Sequence, residues 1–405
     1  MRILLLTAAK KKALRPHHLS PLVLAASKPP SSEVVYLDAS KEVFDSGRSF
    51  FDFAALSFGT ADAEEAFRLS RELRSRGTKT LAMGAHPTFC AGECASSFDS
   101  VLAGEPEGAW DFVMEDLAKG ALAPFYDCPP DFASKEKLPE RGLLGRRFFD
   151  VISSSKGCRY RCAHCQVPPF YHGAVRRRSI PFFLAEAKSL GKTLFLGDDN
   201  FHADPSHARE LLAAIQKLDK NWVLKTSIDL AFDRHLLVLA KQAKVRAVQL
   251  CLDSFSSCSL LSINNRHGHP EKAGEAIARF HDQGILVAAR LSLGLEGDGP
   301  DAFERALATA DSLGIDLLLP RIVPPLPGTE FYRQLVREGR VFDPDWSHYD
   351  GRHAVFEPMA MTSGELEEGY AWLERELNTF RRRLRRASLG IPGFLAAFEI
   401  PFQGG

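Results

Sequence analysis

The chain has 405 residues, 45% of them hydrophobic and 25% charged, a length that asks for two or three domains and a composition that excludes a disordered or fibrous chain. Its 51 basic and 51 acidic residues cancel, so no global field marks a nucleic-acid or membrane surface, and eight cysteines are too sparse for a disulfide framework. No stretch reaches the ~20 apolar residues of a membrane span, so the expected setting is the cytoplasm, with no nucleic-acid partner and no membrane span.

The opening MRILLLTAAKKK has too short an apolar run for a secretory signal. Residues 2–6 read instead as a buried first strand, followed by a helix over 18–26 and a second strand over 33–38. A third strand over 52–57 leads to Gly59 and Thr60. An amphipathic helix over 61–76 ends at Gly77 as its C-terminal cap. A fourth strand over 80–83 leads to Gly84-Ala85-His86-Pro87-Thr88, and a fifth over 100–103 leads to Gly104-Glu105. Strands alternating with helices predict a doubly wound parallel sheet. Ligands of such sheets sit outside the carboxyl ends of the strands, which is where these small and polar residues gather. No GxGxxG follows the first strand, so a nicotinamide site has no support.

Residues 123–147, with Pro124, Pro129, Pro130 and Pro139 and no apolar period, read as a connection. From residue 148 the pattern restarts. Strands are predicted over 149–154, 193–196, 222–226, 247–252, 286–293 and 317–323, with helices over 181–190, 206–218, 234–242, 271–283 and 302–313. Six such units suit a partial barrel with its site at the carboxyl ends of the strands. Those ends carry Gly197-Asp198-Asp199-Asn200, Asp229, Asp253, the segment Gly294 to Asp298 that includes Glu296, and PPLPGT at 324–329. The tail reads as one helix over 362–386 with a capping box at Thr362 and Glu365, then an apolar stretch over 394–402 that can cover the substrate side.

The chemistry concentrates where the first of these strands ends, in KGCRYRCAHCQV over 156–167. Cys158, Cys162 and Cys165 can turn three thiolates toward one point. Three thiolates hold three irons of a cubane cluster and leave the fourth iron open for a ligand. The competing reading is a structural zinc with His164 as fourth ligand, but four ligands so close in sequence close poorly around one tetrahedral ion, and no second ligand pair follows. Asp198 and Asp199 can accept from a ligand's ammonium or cap the next helix, Asp229 and Asp253 can bind ribose hydroxyls or substrate, and Lys225 and Arg290 can meet a carboxylate or form structural salt bridges.

The CxxxCxxC spacing, with His164 in the aromatic place before the last cysteine, resembles the radical S-adenosylmethionine (SAM) superfamily. That resemblance implies a [4Fe–4S] cluster on Cys158, Cys162 and Cys165, SAM chelated by the free iron, and reductive cleavage of SAM to a 5′-deoxyadenosyl radical within a (β/α)6 partial barrel. Gly197, Asp198, Asp199 and Asn200 stand in the place of the family's SAM-binding G-G-E segment, in a form similar to the D-D-N-F variant of cobalamin-type members. Gly294 and Glu296 lie in a segment similar to the one beside the adenine, and PLPGT with the residues after it, to about Pro358, resembles the same cobalamin-dependent group.

The first part of the chain resembles the Rossmann-like cobalamin-binding domain of those proteins through Gly84, His86, Pro87 and Thr88 (G-x-H-P-T) and Gly104-Glu105. The resemblance places Arg15, Gly59 and Thr60 with them on cobalamin. The D-x-H-x-x-G motif is absent, so no histidine reaches cobalt from it. The implied layout is a cobalamin-binding α/β domain over 1–125, a linker over 126–147, a radical SAM barrel over 148–345 and a helical extension over 346–405. The implied activity is cobalamin-dependent methylation of an unactivated carbon in a small-molecule or lipid-like substrate, with a flavodoxin- or ferredoxin-type reductant. A radical SAM enzyme without methyl transfer and a non-enzymatic iron–sulfur or cobalamin-handling protein are the alternatives, and no catalytic side chain is singled out.

Overall fold

A computed structural model describes residues 1–9, 19–42, 44, 50–128, 136–144, 150–265 and 267–388. Arg15, residues 129–135 and 145–147 of the connecting segment and the apolar stretch over 394–402 lie outside the described residues. The first sheet is all parallel and has the order β2-β1-β3-β4-β5-β6, from β1 (Arg2–Thr7), β2 (Glu33–Asp38), β3 (Phe53–Ser57), β4 (Lys79–Met83), β5 (Ser100–Ala103) and β6 (Phe125–Asp127). The order reverses between β1 and β3, which sets the binding crevice at their carboxyl ends. Alternate residues of β1 feed opposite cores. Leu4 and Leu6 pack under the helix Ala63–Ser75 through Phe67 and Leu73, while Ile3 and Leu5 pack with Trp110 and Val113 of the helix Pro106–Ala118.

The second sheet is built from β7 (Asp150–Ile152), β10 (Thr193–Leu196), β11 (Asn221–Thr226), β12 (Val245–Asp253), β13 (Leu286–Leu293) and β14 (Leu317–Ile322), ordered β14-β13-β12-β11-β10-β7 and parallel throughout. It is an open, partial barrel. One side chain from each strand (Val151, Phe195, Val223, Ala247, Ala288, Leu317) forms a buried interior layer, and Leu19, from the first helix of the preceding half, packs into it. Between β7 and β10 a two-stranded antiparallel ladder of β8 (Ser155–Lys156) and β9 (Arg176–Arg177) closes the base of the cysteine loop.

Three features differ from the sequence expectations. The helix Pro106–Ala118 was not anticipated, although Pro106 stands at its first turn, where a missing N–H costs nothing. Phe125–Asp127, read as the start of the connection, is a strand paired with β5. The single helix over 362–386 is instead two, Ser363–Leu377 and Phe380–Ser388. The break falls at Asn378, whose side-chain amide donates to the Glu374 carbonyl and competes with the backbone ladder. The Thr362–Glu365 capping box forms as read. Among the described residues no helix is long and apolar enough to cross a membrane.

Candidate active site

The cysteine loop leaves the end of β7, and the backbone there is held by its neighbours. Asp198, 1% exposed, accepts from the Ser154 N–H (2.6 Å) and from the hydroxyls of Ser154 (2.5 Å) and Ser155 (2.8 Å). Asp199 accepts from the Gly157 N–H at 2.8 Å. The acidic pair therefore braces the loop from the adjacent strand end, while the helix Pro205–Ile215 is capped by Asp204 instead. Burial pushes both carboxyl pKa values up, and the hydrogen bonds from the loop pull them back.

Other parts of the barrel pin the far side of the loop. The Ala163 N–H donates to the Ile263 carbonyl (2.7 Å), the Phe331 N–H to the Ala163 carbonyl (2.9 Å), and the Gln166 amide to the Pro327 carbonyl (2.8 Å). The PPLPGT turn thus acts as a backstop for the cysteines. Gly157 is the tightest point. It has φ +92°, and a Cβ there would stand 2.0 Å from the Ala174 carbonyl oxygen. Gly157→Ala is expected to displace the loop and abolish iron uptake on anaerobic reconstitution. Gly173→Ala, with φ +73° but open space around its Cβ, should cost only about 1–2 kcal/mol and keep its iron. Iron content per chain is the measurement.

The three thiols are half-buried, and burial pushes the Cys165 thiol up to about 12 and those of Cys158 and Cys162 in the same direction. Thiols in such surroundings give up their protons to a cation rather than to water. His164, the sequence candidate for a fourth ligand, turns its Nε2 toward Asp253 at 3.6 Å, so the donor set is three thiols, which fits a cluster with one open iron. Two side chains stand behind the thiols. His267 Nε2 lies 3.3 Å from Cys162 Sγ, and the Asn200 amide 3.8 Å from Cys158 Sγ. A thiolate can only accept here, so both contacts have the donor on the partner, the outer-shell arrangement that sets a cluster's potential. His267 gave no sequence signal, because it meets Cys162 across 105 positions.

The other barrel residues named from the sequence take different places. Asp229 accepts from the Tyr160 and Ser227 hydroxyls. Asp253, with φ +59° at a register shift, accepts from Asn265 (2.9 Å) and Ser292 (3.1 Å) and is held well below the usual carboxylate range, with His164 the largest factor opposing its burial. Gly294 has φ +85°, and a Cβ on it would stand 2.7 Å from Leu366. Glu296 is engaged by Gln334 and Arg340.

In the first half, Thr88 joins two of the loops read as cofactor-facing. Its hydroxyl donates to the Gly84 carbonyl (2.7 Å) and accepts from the Gly104 N–H (2.9 Å). Gly84 and Gly104 both have positive φ, and Gly59 leaves open space where a Cβ would stand. The buried Thr60 hydroxyl makes no hydrogen bond. The open space at Gly59 and the orphaned Thr60 hydroxyl fit a ligand rich in amide groups, whereas a Cβ at Gly104 would stand 3.0 Å from the Cys128 carbonyl oxygen. His86 and Pro87 are buried. His86 is fully buried against Phe58, Phe67 and Trp346, with Nε2 3.4 Å from Glu93, and burial lowers its pKa to about 4.

The two halves meet at the cysteine loop itself. Ala85 and Phe89, just after β4, pack with Val167, Phe170 and Tyr171, and Cys158 and Cys165 border the same cluster. Glu105 does not face open space. Its carboxylate is shared by Lys156 (2.6 Å) and Arg176, and Lys156 also reaches Glu107 at 2.9 Å. The carboxyl ends of both sheets therefore converge on one three-thiol loop.

Two such edges around such a loop suit a protein that carries cofactors at both. Residues 152–310 match the family described as the Radical SAM superfamily. The barrel therefore carries a radical SAM domain, and the chain is similar to radical SAM methyltransferases and to cobalamin-dependent radical enzymes, solved with a [4Fe–4S] cluster, SAM and cobalamin. It is similar to the bacteriochlorophyllide d C-12(1)-methyltransferase of Chlorobaculum tepidum, 24% identical over 363 residues that cover 85% of this chain and 79% of that protein. It is also similar to the C-8(2)-methyltransferase of the same organism, 23% identical over 394 residues covering 89% and 87%. Among solved structures, the radical SAM methyltransferase TsrM of Kitasatospora setae, with tryptophan and a SAM analogue bound, superposes with a TM-score of 0.68 at 16% identity, covering 83% of this chain and 76% of that one. The cobalamin-dependent radical enzyme OxsB, with aqua-cobalamin and SAM bound, gives 0.65 at 12% identity, covering 97% and 72%. Both likenesses are of fold.

Proposed function

We propose that this enzyme methylates an unactivated carbon, with the strands up to about residue 125 holding cobalamin and the barrel over 148–345 holding the cluster and SAM. The observation that supports it is the meeting of the two carboxyl edges, Ala85 and Phe89 against Val167, Phe170 and Tyr171, beside Cys158 and Cys165. A methyl carrier and a hydrogen-abstracting centre must serve the same substrate carbon, so their two sites have to share one chamber.

When bound, the cluster supplies the electron that splits SAM, and the corrinoid carries the methyl group. The chain's own residues hold and orient. Cys158, Cys162 and Cys165 take three irons, Asp198 and Asp199 fix the loop that carries them, and Asn200 and His267 donate to the thiolates. Thr60, Gly59, Gly84 and Gly104 line the cobalamin crevice. Asp253 lies at the strand end opposite the loop, within reach of His164. The reductant is a flavodoxin- or ferredoxin-type protein, and the cluster requires a reducing compartment such as the cytoplasm.

The first substrate to test is bacteriochlorophyllide d, named for two relatives of which this chain spans 79% and 87%. Anaerobically reconstituted enzyme, given SAM, cobalamin and reductant, is expected to release both 5′-deoxyadenosine and S-adenosylhomocysteine with a methylated product. Deoxyadenosine without S-adenosylhomocysteine, across substrates, would replace methyl transfer by another radical outcome.

A further inference from the structure

The barrel interior carries more positive charge than its own acids answer. Above the apolar layer formed by Val223, Ala288 and Leu317, the inward positions are Lys225 on β11, Arg290 on β13 and Arg321 on β14. Among the described residues none of the three makes a hydrogen bond or an ion pair, and the Arg321 Nε is buried without a partner. Arg290 and Arg321 lie on neighbouring strands, two register steps apart, with Arg290 opposite Leu319 and Ser292 opposite Arg321. The nearest acid, Asp253, is already occupied by Asn265, Ser292 and His164.

Lys225 stands by Asp199 and Cys165, and the charge of Arg290 also reaches Cys165. Arg290 and Arg321 stand on the last two strands, at the edge opposite β7, from which the cysteine loop leaves. Burial, then the like charge of Arg321, lowers the Arg290 pKa to about 10. Two unpaired guanidinium groups side by side in a half-closed chamber destabilise the protein unless an anion completes them. Their planar forks suit the two oxygens of a carboxylate or a phosphate. SAM brings a single carboxylate, which Lys225 can meet, so the arginine pair is left for a second anion.

We propose that Arg290 and Arg321 are the anchor for an oxyanion on the substrate, so that the molecule this enzyme alters is an acid held by that group on the last two strands of the barrel. The proposal rests on the barrel being the SAM-cleaving chamber. Anions that mimic the group should then bind beside SAM rather than in its place.

The test uses cluster-loaded enzyme saturated with SAM and titrated with citrate or pyrophosphate at constant ionic strength, read by thermal midpoint and by calorimetry. One of the two anions is expected to raise the midpoint, and whichever does so identifies the group as carboxylate or phosphate. In Arg290→Gln/Arg321→Gln the affinity for that anion should fall roughly tenfold or more, with SAM affinity kept. The same variant, free of anion, should melt higher than the parent, because an uncompensated charge pair has been removed. Neither anion binding, equal binding by parent and variant, a lower anion-free midpoint, or loss of SAM affinity with the anion would each overturn the proposal, the last by assigning the pair to SAM. Failure of the parent to bind SAM at all is a separate result and counts against the methyltransferase reading.

Discussion

Replacing any one of Cys158, Cys162 and Cys165 by alanine is expected to abolish SAM cleavage, with the iron content and the visible absorption of the reconstituted protein lost together. Three thiols for a four-iron cubane leave no spare ligand; of the two nearby imidazoles, His164 is turned to Asp253 and His267 stands behind Cys162. The loss should exceed the roughly 10–100-fold cost of removing an outer-shell partner of a metal ligand. Cys258→Ala is the control, since Cys258 is an exposed thiol on another helix. Deoxyadenosine release that survives in any of the three loop variants would remove the cluster assignment, and with it the proposed chemistry.

The cysteine loop was legible because its information is local: three thiols and an aromatic residue within eight positions need no partner elsewhere to be recognised. The strands of both sheets, Phe125–Asp127 excepted, and the Thr362–Glu365 cap were legible for the same reason. What the sequence could not show is how distant segments use one another. Asp198 and Asp199 looked like ligand acceptors or a helix cap, and their partners, Ser154 and Gly157, stand 44 and 42 positions away. Glu105 looked like a cofactor residue and is held by Lys156 and Arg176, 51 and 71 positions away. The helix Pro106–Ala118 was missed because its apolar residues Ala109, Trp110, Val113 and Met114 are interleaved with few charges, so its periodicity is shallow. Arg321 drew no notice because a lone arginine in an apolar strand becomes informative only when the neighbouring strand supplies Arg290 beside it.

Lys156→Met is expected to be among the most destabilising single changes in the chain. Among the described residues Lys156 alone pairs with Glu105 and Glu107 together, and those two carboxylate side chains are each 6% exposed. Removing one partner of a buried ion pair leaves an uncompensated charge and typically costs about 3–5 kcal/mol. Glu105 keeps Arg176, so most of the cost should fall on Glu107, whose pKa lies below its ordinary value because the Lys156 charge and hydrogen bond outweigh its burial. The pH dependence follows with opposite signs in parent and variant. In the parent, the folded-state pKa of Glu107 is depressed, so its contribution is present above the unfolded pKa and is lost as pH falls through the lower folded value. In the variant, burial is opposed only by its own backbone N–H and the Ser20 hydroxyl, so the folded pKa of Glu107 rises, the folded state binds the extra proton and the defect shrinks as pH falls. Urea midpoints of parent and variant should therefore differ most at neutral to alkaline pH and converge in mild acid. Lys156→Met/Glu107→Gln should recover much of the loss at pH 8, since it leaves no buried charge unpaired. Because Lys156 immediately precedes Gly157 and the cysteines, and Glu105 belongs to the other sheet, the same variant should also loosen the loop from the first half of the chain. A cluster that still assembles, together with cobalamin affinity that falls, would separate that positioning effect from simple unfolding. A midpoint unchanged across the whole pH range would mean the three charges are solvated in solution and do not join the two sheets.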